Sequence, residues 1–231
     1  MGRLVAVGGG AYEEIDAICA EIVCLSGKTL PNVLFIGTAL KDSTNPLTSC
    51  KKTFKRCAPG CIVKKLSIIR SQYTEEEIDA LIEWADVIFV GGGNTTYMLE
   101  EWRKIGLQEK LLKVYREDSA VLGGLSAGAV CWFGEVYTDS DSFLGLPDWS
   151  YRMMKPGLDL YGEVICPHYD DPGRESFDQA MEAEKRNGIA LENCTAFVDN
   201  QGKIGYIKSK EDAHAWYFEK KDGRTLKTMM V

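Results

Sequence analysis

One serine in this sequence lies in a local pattern that suits nucleophilic catalysis. Ser126 is the centre of Gly124-Leu125-Ser126-Ala127-Gly128, a G-x-S-x-G motif that follows an apolar run and precedes a helix-like stretch. A strand that turns sharply into a helix exposes such a hydroxyl at the carboxyl edge of a sheet, and the flanking glycines permit the turn. The N–H of Ala127 would then lie at a helix N-terminus, where it favours developing negative charge. The alternative is a turn of small residues that serves packing only.

A serine nucleophile needs a base, and the chain holds only two histidines. His168 follows an apolar run at 163–166, so we expect it at the carboxyl end of a strand, where α/β proteins place their active sites. His214 lies in an alternating segment with no polar cluster nearby, which is typical of a half-buried structural histidine. We therefore predict that His168 is the general base.

A second glycine cluster, Gly91–Gly93, ends an apolar run and precedes Asn94 and another helical pattern. Its backbone N–H groups are suited to supply a second donor to an oxyanion. The competing interpretation is a phosphate-binding loop. The cluster lacks the Lys-Ser/Thr ending of such a loop, and Gly8–Gly10 lacks the G-x-G-x-x-G spacing. The pattern therefore favours an oxyanion-binding turn over a nucleotide site.

Composition excludes several classes of protein. The 231 residues carry 27 Lys and Arg against 34 Asp and Glu, a net charge of −7, which disfavours nucleic acid as a partner. No apolar run reaches the ~18 residues of a membrane span, and the first ten residues are typical of a core strand rather than a signal peptide. The 8 cysteines form no Cys-x-x-Cys pair, and two histidines are too few for most metal sites. We expect a cytoplasmic protein with no metal, no cofactor and no membrane partner.

The elements that must position these residues alternate between short apolar runs and amphipathic stretches. Strands are predicted at Arg3–Val7, Asn32–Ile36, Ile62–Leu66, Val87–Val90 and Ala120–Leu122. Helices are predicted at Tyr12–Cys24, Pro46–Cys57, Thr74–Trp84 and Thr95–Asp118. This alternation predicts an α/β fold with a mainly parallel sheet and helices on both faces.

The pattern changes after about residue 133. The polar stretch Glu135–Met154 is predicted as a long loop, followed by a strand at Glu163–Cys166 and a helix within Pro172–Asn187. Short antiparallel C-terminal strands are predicted at Thr195–Val198, Lys203–Lys208 and Ala213–Lys220. No linker or repeat interrupts the chain, so residues 1–231 are predicted to form a single domain.

Three segments occur in a fixed order along the chain: FVGGGNTTYML at Phe89–Leu99, GLSAGAVCWF at Gly124–Phe133 and CPHYD at Cys166–Asp170. In order and spacing they resemble the peptidase E and cyanophycinase family of serine peptidases. The resemblance implies a flavodoxin-like α/β fold akin to class I glutamine amidotransferases, with a serine where those enzymes carry cysteine. It implies that Ser126 is the nucleophile and His168 its base. The amides of Gly93 and Ala127 would form the oxyanion hole, with Gly92 in the same turn.

The acid that backs the histidine has more than one candidate. A carboxylate would fix the tautomer of the imidazole and stabilise its protonated form. Glu192 matches a family position expected near His168, and it is the preferred candidate. Asp139 and Asp141 are the alternatives, and Asp141 lies 15 residues after the serine, where an acid recurs in some relatives.

The resemblance also bears on the substrate. Aspartyl dipeptidases of this family cleave after an N-terminal Asp, which requires a cation near the substrate carboxylate. Arg174 lies in the segment after His168 where such an arginine is expected, and Asn94 is assigned with it to substrate binding. The alternative for Arg174 is a surface ion pair, because it stands at the start of a helix.

These expectations combine into one function with two alternatives. The resemblance implies a serine peptidase of the peptidase E type that hydrolyses small peptides through an acyl-enzyme on Ser126. Dipeptides with an N-terminal Asp are one candidate substrate. The alternatives are an esterase or amidase acting on a non-peptide substrate, and a binding homologue without activity. The expected partner is a small peptide, and the expected assembly is a monomer or a homodimer.

Overall fold

The structure is a computed structural model that describes residues 1–70, 72–139, 151–155 and 158–231. Within these ranges the strands are β1 (Arg3–Val7), β2 (Asn32–Ile36), β3 (Ile62–Leu66), β4 (Val87–Val90), β5 (Val121–Leu125), β6 (Phe133–Thr138), β7 (Arg152–Met154), β8 (Tyr161–Cys166), β9 (Gly188–Leu191), β10 (Thr195–Asn200), β11 (Lys203–Lys208), β12 (Ala215–Lys221) and β13 (Arg224–Met229). The α-helices are α1 (Asp16–Leu25), α2 (Thr44–Cys57), α3 (Glu75–Trp84), α4 (Thr95–Lys104), α5 (Leu107–Glu117), α6 (Ala127–Val130) and α7 (Ser176–Ala183), with short 3₁₀ turns at Tyr12–Glu14 and Thr38–Leu40. None of the described helices is long and apolar enough to cross a membrane.

The first sheet has seven strands in the order β11-β10-β1-β5-β4-β2-β3. The five strands from β1 to β3 in that order run parallel, and β10 and β11 add an antiparallel edge. Alternate residues of each strand face opposite layers, as the period of a strand requires. Leu4 and Leu34 pack with α3, α4 and α5 on one face, whereas Val5 and Phe35 pack with α1 and α2 on the other. The predicted mainly parallel sheet with helices on both faces is confirmed.

A second sheet was not predicted. It has six strands in the order β13-β12-β9-β8-β6-β7. The stretch 135–154, predicted as a loop, contributes most of β6 and all of β7, while residues 140–150 lie outside the described part of the chain. Polar residues along β6 obscured its pattern, yet Val136 and Tyr137 are buried in that strand. Of the predicted C-terminal strands, only β10 and β11 extend the first sheet, and β12 pairs with β9 in the second.

The helix predictions hold where capping and periodicity agree. Thr74 caps α3, accepting a hydrogen bond from the Glu77 N–H while the Glu77 carboxylate accepts one from the Thr74 N–H, as the sequence indicated. The stretch predicted as one helix at Thr95–Asp118 divides into α4 and α5. Gly106 adopts a left-handed conformation there, with φ of 67°, which ends one helix and begins the next.

The turn at Ser126 follows directly from β5 into α6. Ser126 has φ of 54° and ψ of −114°, a strained conformation for a residue with a side chain. Two glycines make this turn possible by close approach. A Cβ on Gly124 would lie 2.0 Å from the carbonyl oxygen of Gly128, and a Cβ on Gly128 would lie 2.2 Å from that of Val90. The G-x-S-x-G motif is therefore a packing requirement of this turn as well as a chemical signature.

We expect Gly124→Ala to lower the free energy of unfolding by about 1–3 kcal/mol or more, because the added methyl group must displace backbone. The measurement is chemical denaturation followed by circular dichroism. Gly205→Ala is the matched control, since nothing lies within 4 Å of a Cβ at that position in β11. Equal stability of the two variants would contradict this account of the turn.

Candidate active site

Ser126 and His168 meet although they belong to different sheets. Ser126 follows β5 of the first sheet, and His168 lies two residues beyond β8 of the second. The Oγ of Ser126 is 2.8 Å from Nε2 of His168, within hydrogen-bond distance. The structure thus brings together the two residues that the sequence singled out.

Asn193 orients the imidazole from its other side. Its Oδ1 is 2.8 Å from Nδ1 of His168, and its Nδ2 donates to Oδ1 of Asp171 at 2.9 Å. An ionised carboxylate only accepts hydrogen bonds, so Asp171 fixes which way the Asn193 amide faces. The amide oxygen then accepts the Nδ1 proton of His168. This leaves Nε2 unprotonated and able to accept the hydroxyl proton of Ser126.

Two adjacent acids hold the asparagine in place. The Asp170 carboxylate accepts a hydrogen bond from the backbone N–H of Asn193 at 2.6 Å. The second oxygen of Asp171 lies 3.9 Å from Nδ1 of His168, which makes it a close negative charge without a direct hydrogen bond. An amide, rather than a carboxylate, therefore contacts the histidine directly.

The structure does not bring Glu192 to His168. The Glu192 carboxylate accepts hydrogen bonds from the backbone N–H of His214 at 2.7 Å and from Nε1 of Trp216 at 3.1 Å. It also lies 3.3 Å from Nδ1 of His214, so that histidine has the polar partner that the sequence analysis did not expect. Glu192 and Asn193 are neighbours in the turn between β9 and β10, and their side chains reach opposite partners. Sequence reasoning missed Asn193 because it looked only for an acid.

The two alternative acids have different outcomes. Asp139 lies at the end of β6, where its Oδ1 is 3.2 Å from Nη2 of Arg174. It is therefore paired with the arginine rather than with His168. Asp141 lies outside the described residues.

Backbone carbonyl groups at the end of β1 bind the three segments that carry Ser126, His168 and Asn193. Successive carbonyl oxygens of Val7, Gly8 and Gly9 accept hydrogen bonds from the N–H groups of Ser126, His168 and Cys194 at 2.9, 3.2 and 3.0 Å. A Cβ on Gly9 would lie 2.1 Å from Oδ1 of Asn193 and 2.2 Å from Nδ1 of His168. The cluster Gly8–Gly10, whose sequence was compared above only with phosphate-binding loops, is thus a structural part of this site.

The two predicted oxyanion donors border one cleft with Ser126. Gly93 has φ of 134°, and a Cβ there would lie 2.4 Å from the carbonyl oxygen of Ala39, so the turn requires glycine. Among the residues that the structure describes, the N–H groups of Gly93 and Ala127 have no hydrogen-bond partner. Gly92 approaches Ser126 closely, since a Cβ on it would lie 3.2 Å from the Cβ of Ser126.

Asn94, predicted to bind substrate, caps α4. Its Oδ1 accepts a hydrogen bond from the Tyr97 N–H at 2.8 Å. The residues on either side of it, Gly93 and Thr95, border the cleft. Asn94 therefore helps to shape this wall of the cleft through the start of the helix.

The cleft has a volume of about 260 Å³ and is bordered by Ser126, His168, Asp171, Tyr151 and Arg174, among others. Arg174 is only 4% exposed, so it is not the surface ion-pair partner that was the alternative prediction. Burial raises the pKa of Tyr151 on the wall of this cleft. A larger cavity of about 540 Å³ lies between β11 and the second sheet, but none of the described residues that border it is a serine or a histidine.

Cys166 ends β8 just before this site, but it is a poor candidate for a nucleophile. Burial raises the pKa of its thiol to about 12. A thiol with that pKa is almost entirely protonated near neutral pH, and the thiolate is the reactive form. Ser126 is therefore the nucleophile candidate that the geometry favours.

Comparisons with known proteins identify the family of this chain. Residues 4–207 match the model of peptidase family S51. The chain is 32% identical over 173 residues to the uncharacterized peptidase YgaJ of Bacillus subtilis (strain 168), covering 74% of this chain and 70% of that protein. It is 32% identical over 110 residues to Peptidase E of Streptomyces coelicolor, covering 46% of this chain and 42% of that protein.

Two solved structures share the fold. A putative peptidase E protein from Listeria monocytogenes EGD-e has a TM-score of 0.68 at 21% identity, covering 90% of this chain and 98% of that one. A peptidase from an acI-B1 Actinobacterium has a TM-score of 0.71 at 19% identity, covering 99% and 94%. The family match spans most of the chain, including both segments that supply Ser126 and His168. This chain belongs to peptidase family S51, the peptidase E family.

Proposed function

We propose that this protein is a serine peptidase that hydrolyses small peptides through an acyl-enzyme on Ser126. The observation that carries the proposal is the continuous set of contacts from Ser126 through His168 and Asn193 to Asp171. A nucleophile bonded to a base, and a base oriented by a third group, is the arrangement that activates a hydroxyl for acyl transfer. Membership of peptidase family S51 supports a peptide rather than an ester as the substrate.

Each step of the proposed hydrolysis uses groups of this chain. Nε2 of His168 removes the hydroxyl proton of Ser126 as its Oγ attacks the peptide carbonyl carbon. The N–H groups of Gly93 and Ala127 stabilise the negative charge that forms on the carbonyl oxygen. His168 then gives its proton to the leaving amine as the C–N bond breaks. Water then gives a proton to the same imidazole as it attacks the ester carbon, and His168 returns that proton to Oγ of Ser126 as the C–O bond breaks and the acid is released.

An asparagine beside the base changes how its positive charge is stabilised. The neutral amide of Asn193 fixes the tautomer and orientation of His168, as the asparagine of papain-like enzymes does for theirs. It provides less charge stabilisation than a carboxylate would. Asp171, whose second oxygen is 3.9 Å from Nδ1, supplies a negative charge at slightly longer range.

The volume of the cleft favours a short substrate. About 260 Å³ holds one or two side chains of a peptide rather than a long segment. Arg174 borders this cleft, which keeps a peptide with an N-terminal Asp as one candidate substrate. A panel of Asp-Xaa dipeptides, other dipeptides and short-chain esters separates this candidate from other peptides and from an esterase.

We expect Ser126→Ala to lower the rate of dipeptide hydrolysis by at least about 10³-fold, because the variant lacks the attacking oxygen. The thermal midpoint should stay nearly unchanged, since the substitution removes a single oxygen from the wall of a cleft. The measurements are amine release and differential scanning calorimetry on the same preparations. Hydrolysis that persists in the variant would rule out Ser126 as the nucleophile.

We expect Asn193→Ala to lower kcat by roughly 10²- to 10⁴-fold, because His168 loses the group that fixes its tautomer. Glu192→Gln is the matched comparison from the same turn, and its amide oxygen can still accept the hydrogen bond from the His214 N–H, although the contact of the other carboxylate oxygen with Trp216 is lost. That variant should keep kcat within about threefold of the wild type. The reverse ranking of the two variants would make Glu192, not Asn193, the partner of the base.

A further inference from the structure

The positive charge in the cleft is already paired with an acid of this chain. Arg174 is the one lysine or arginine that borders the cleft within the described ranges. Its Nη2 donates to Oδ1 of Asp139 at 3.2 Å, and its Nη1 donates to the carbonyl oxygen of Tyr137 at 2.8 Å. The guanidinium carbon lies 4.3 Å from the centre of the Tyr151 ring. The arginine is thus held by contacts from β6 and from the residue that precedes β7.

Burial makes this pairing necessary. The side chain of Arg174 is 5% exposed, and a charge removed from water is costly unless a counter-charge lies beside it. Its Nε is buried and has no hydrogen-bond partner in the part of the chain that the structure describes. Among the described residues, Asp139 is the carboxylate in contact with this guanidinium, so it supplies the counter-charge.

The ion pair with Asp139 weakens the ability of Arg174 to bind a substrate carboxylate. A substrate carboxylate placed against this guanidinium would lie close to the carboxylate of Asp139, and like charges at that range repel. Asp171 borders the same cleft. One guanidinium and two carboxylates give these groups a net charge of −1. That balance favours the protonated amino group of a peptide and disfavours an acidic side chain.

We propose that Asp139 is a specificity-determining residue: by neutralising Arg174, it makes this cleft disfavour peptides whose first side chain is acidic. The proposal rests on the proposed peptidase function, since it concerns the substrate of that site. Arg174 then serves mainly to shape the wall of the cleft. An acidic first residue would have to displace Asp139 from the guanidinium before it could bind.

The test uses two substrates of nearly equal shape, the α-p-nitroanilides of L-aspartate and L-asparagine. We expect the wild type to have an Asp:Asn ratio of kcat/KM at or below about one. Asp139→Asn removes the charge but keeps an oxygen that can accept from Arg174. It should raise the ratio by about tenfold, mainly through a lower KM for the aspartyl substrate. Asp222→Asn, an equal change of charge in the exposed turn between β12 and β13, should leave the ratio unchanged.

Failure of this proposal is distinguishable from failure of the peptidase function. If both substrates are hydrolysed and Asp139→Asn leaves the ratio unchanged, Asp139 does not set specificity, although the enzyme is a peptidase. A wild type that prefers the aspartyl substrate by more than about tenfold also overturns the proposal. If neither substrate is hydrolysed, calorimetric binding of L-aspartate and L-asparagine decides. Aspartate should then bind about tenfold more tightly to Asp139→Asn than to the wild type, and equal or undetectable binding overturns the proposal.

Discussion

Three successive carbonyl groups at the end of β1 determine how this site is assembled. The oxygens of Val7, Gly8 and Gly9 bind the backbone N–H groups of Ser126, His168 and Cys194 in turn. The first belongs to the turn after β5, the second to the loop after β8, and the third to the turn that carries Asn193. Segments from two separate sheets are thereby fixed against one strand end. The contacts among Ser126, His168 and Asn193 depend on this single edge, and Gly9 must lack a side chain for these residues to meet.

The parts of this arrangement that the sequence predicted are those with a local cause. The first four strands have the bounds that their apolar runs predicted, and the strain at Ser126 explains why glycines surround it. His168 could be identified because it stands just past a buried strand. The second sheet was missed because β6 mixes polar and apolar residues, and because the pairing of β6 with β8 and of β12 with β9 is long-range. No local pattern reports which residue of a turn reaches a partner more than twenty positions away, and for that reason Glu192 was preferred to its neighbour Asn193.

The acidic residues around the cleft fall into two sets that bind different partners. Asp170 and Asp171 bind Asn193 and so act on the histidine through the amide that they hold. Asp139 binds Arg174 and so neutralises a positive charge that borders the cleft. Each acid is used in a contact within the protein. The character of the site therefore depends on which charges are neutralised internally, and the net charge of −7 for the whole chain says little about the substrate.

The most direct test of the central claim is covalent labelling by a fluorophosphonate probe, with the modified residue identified by peptide mass spectrometry. A serine activated by a correctly oriented imidazole should react as the nucleophile of a serine hydrolase does. We expect one adduct, on Ser126, that forms at least about 10²-fold more slowly in His168→Ala. An adduct at another residue, or a labelling rate that does not depend on His168, would contradict it.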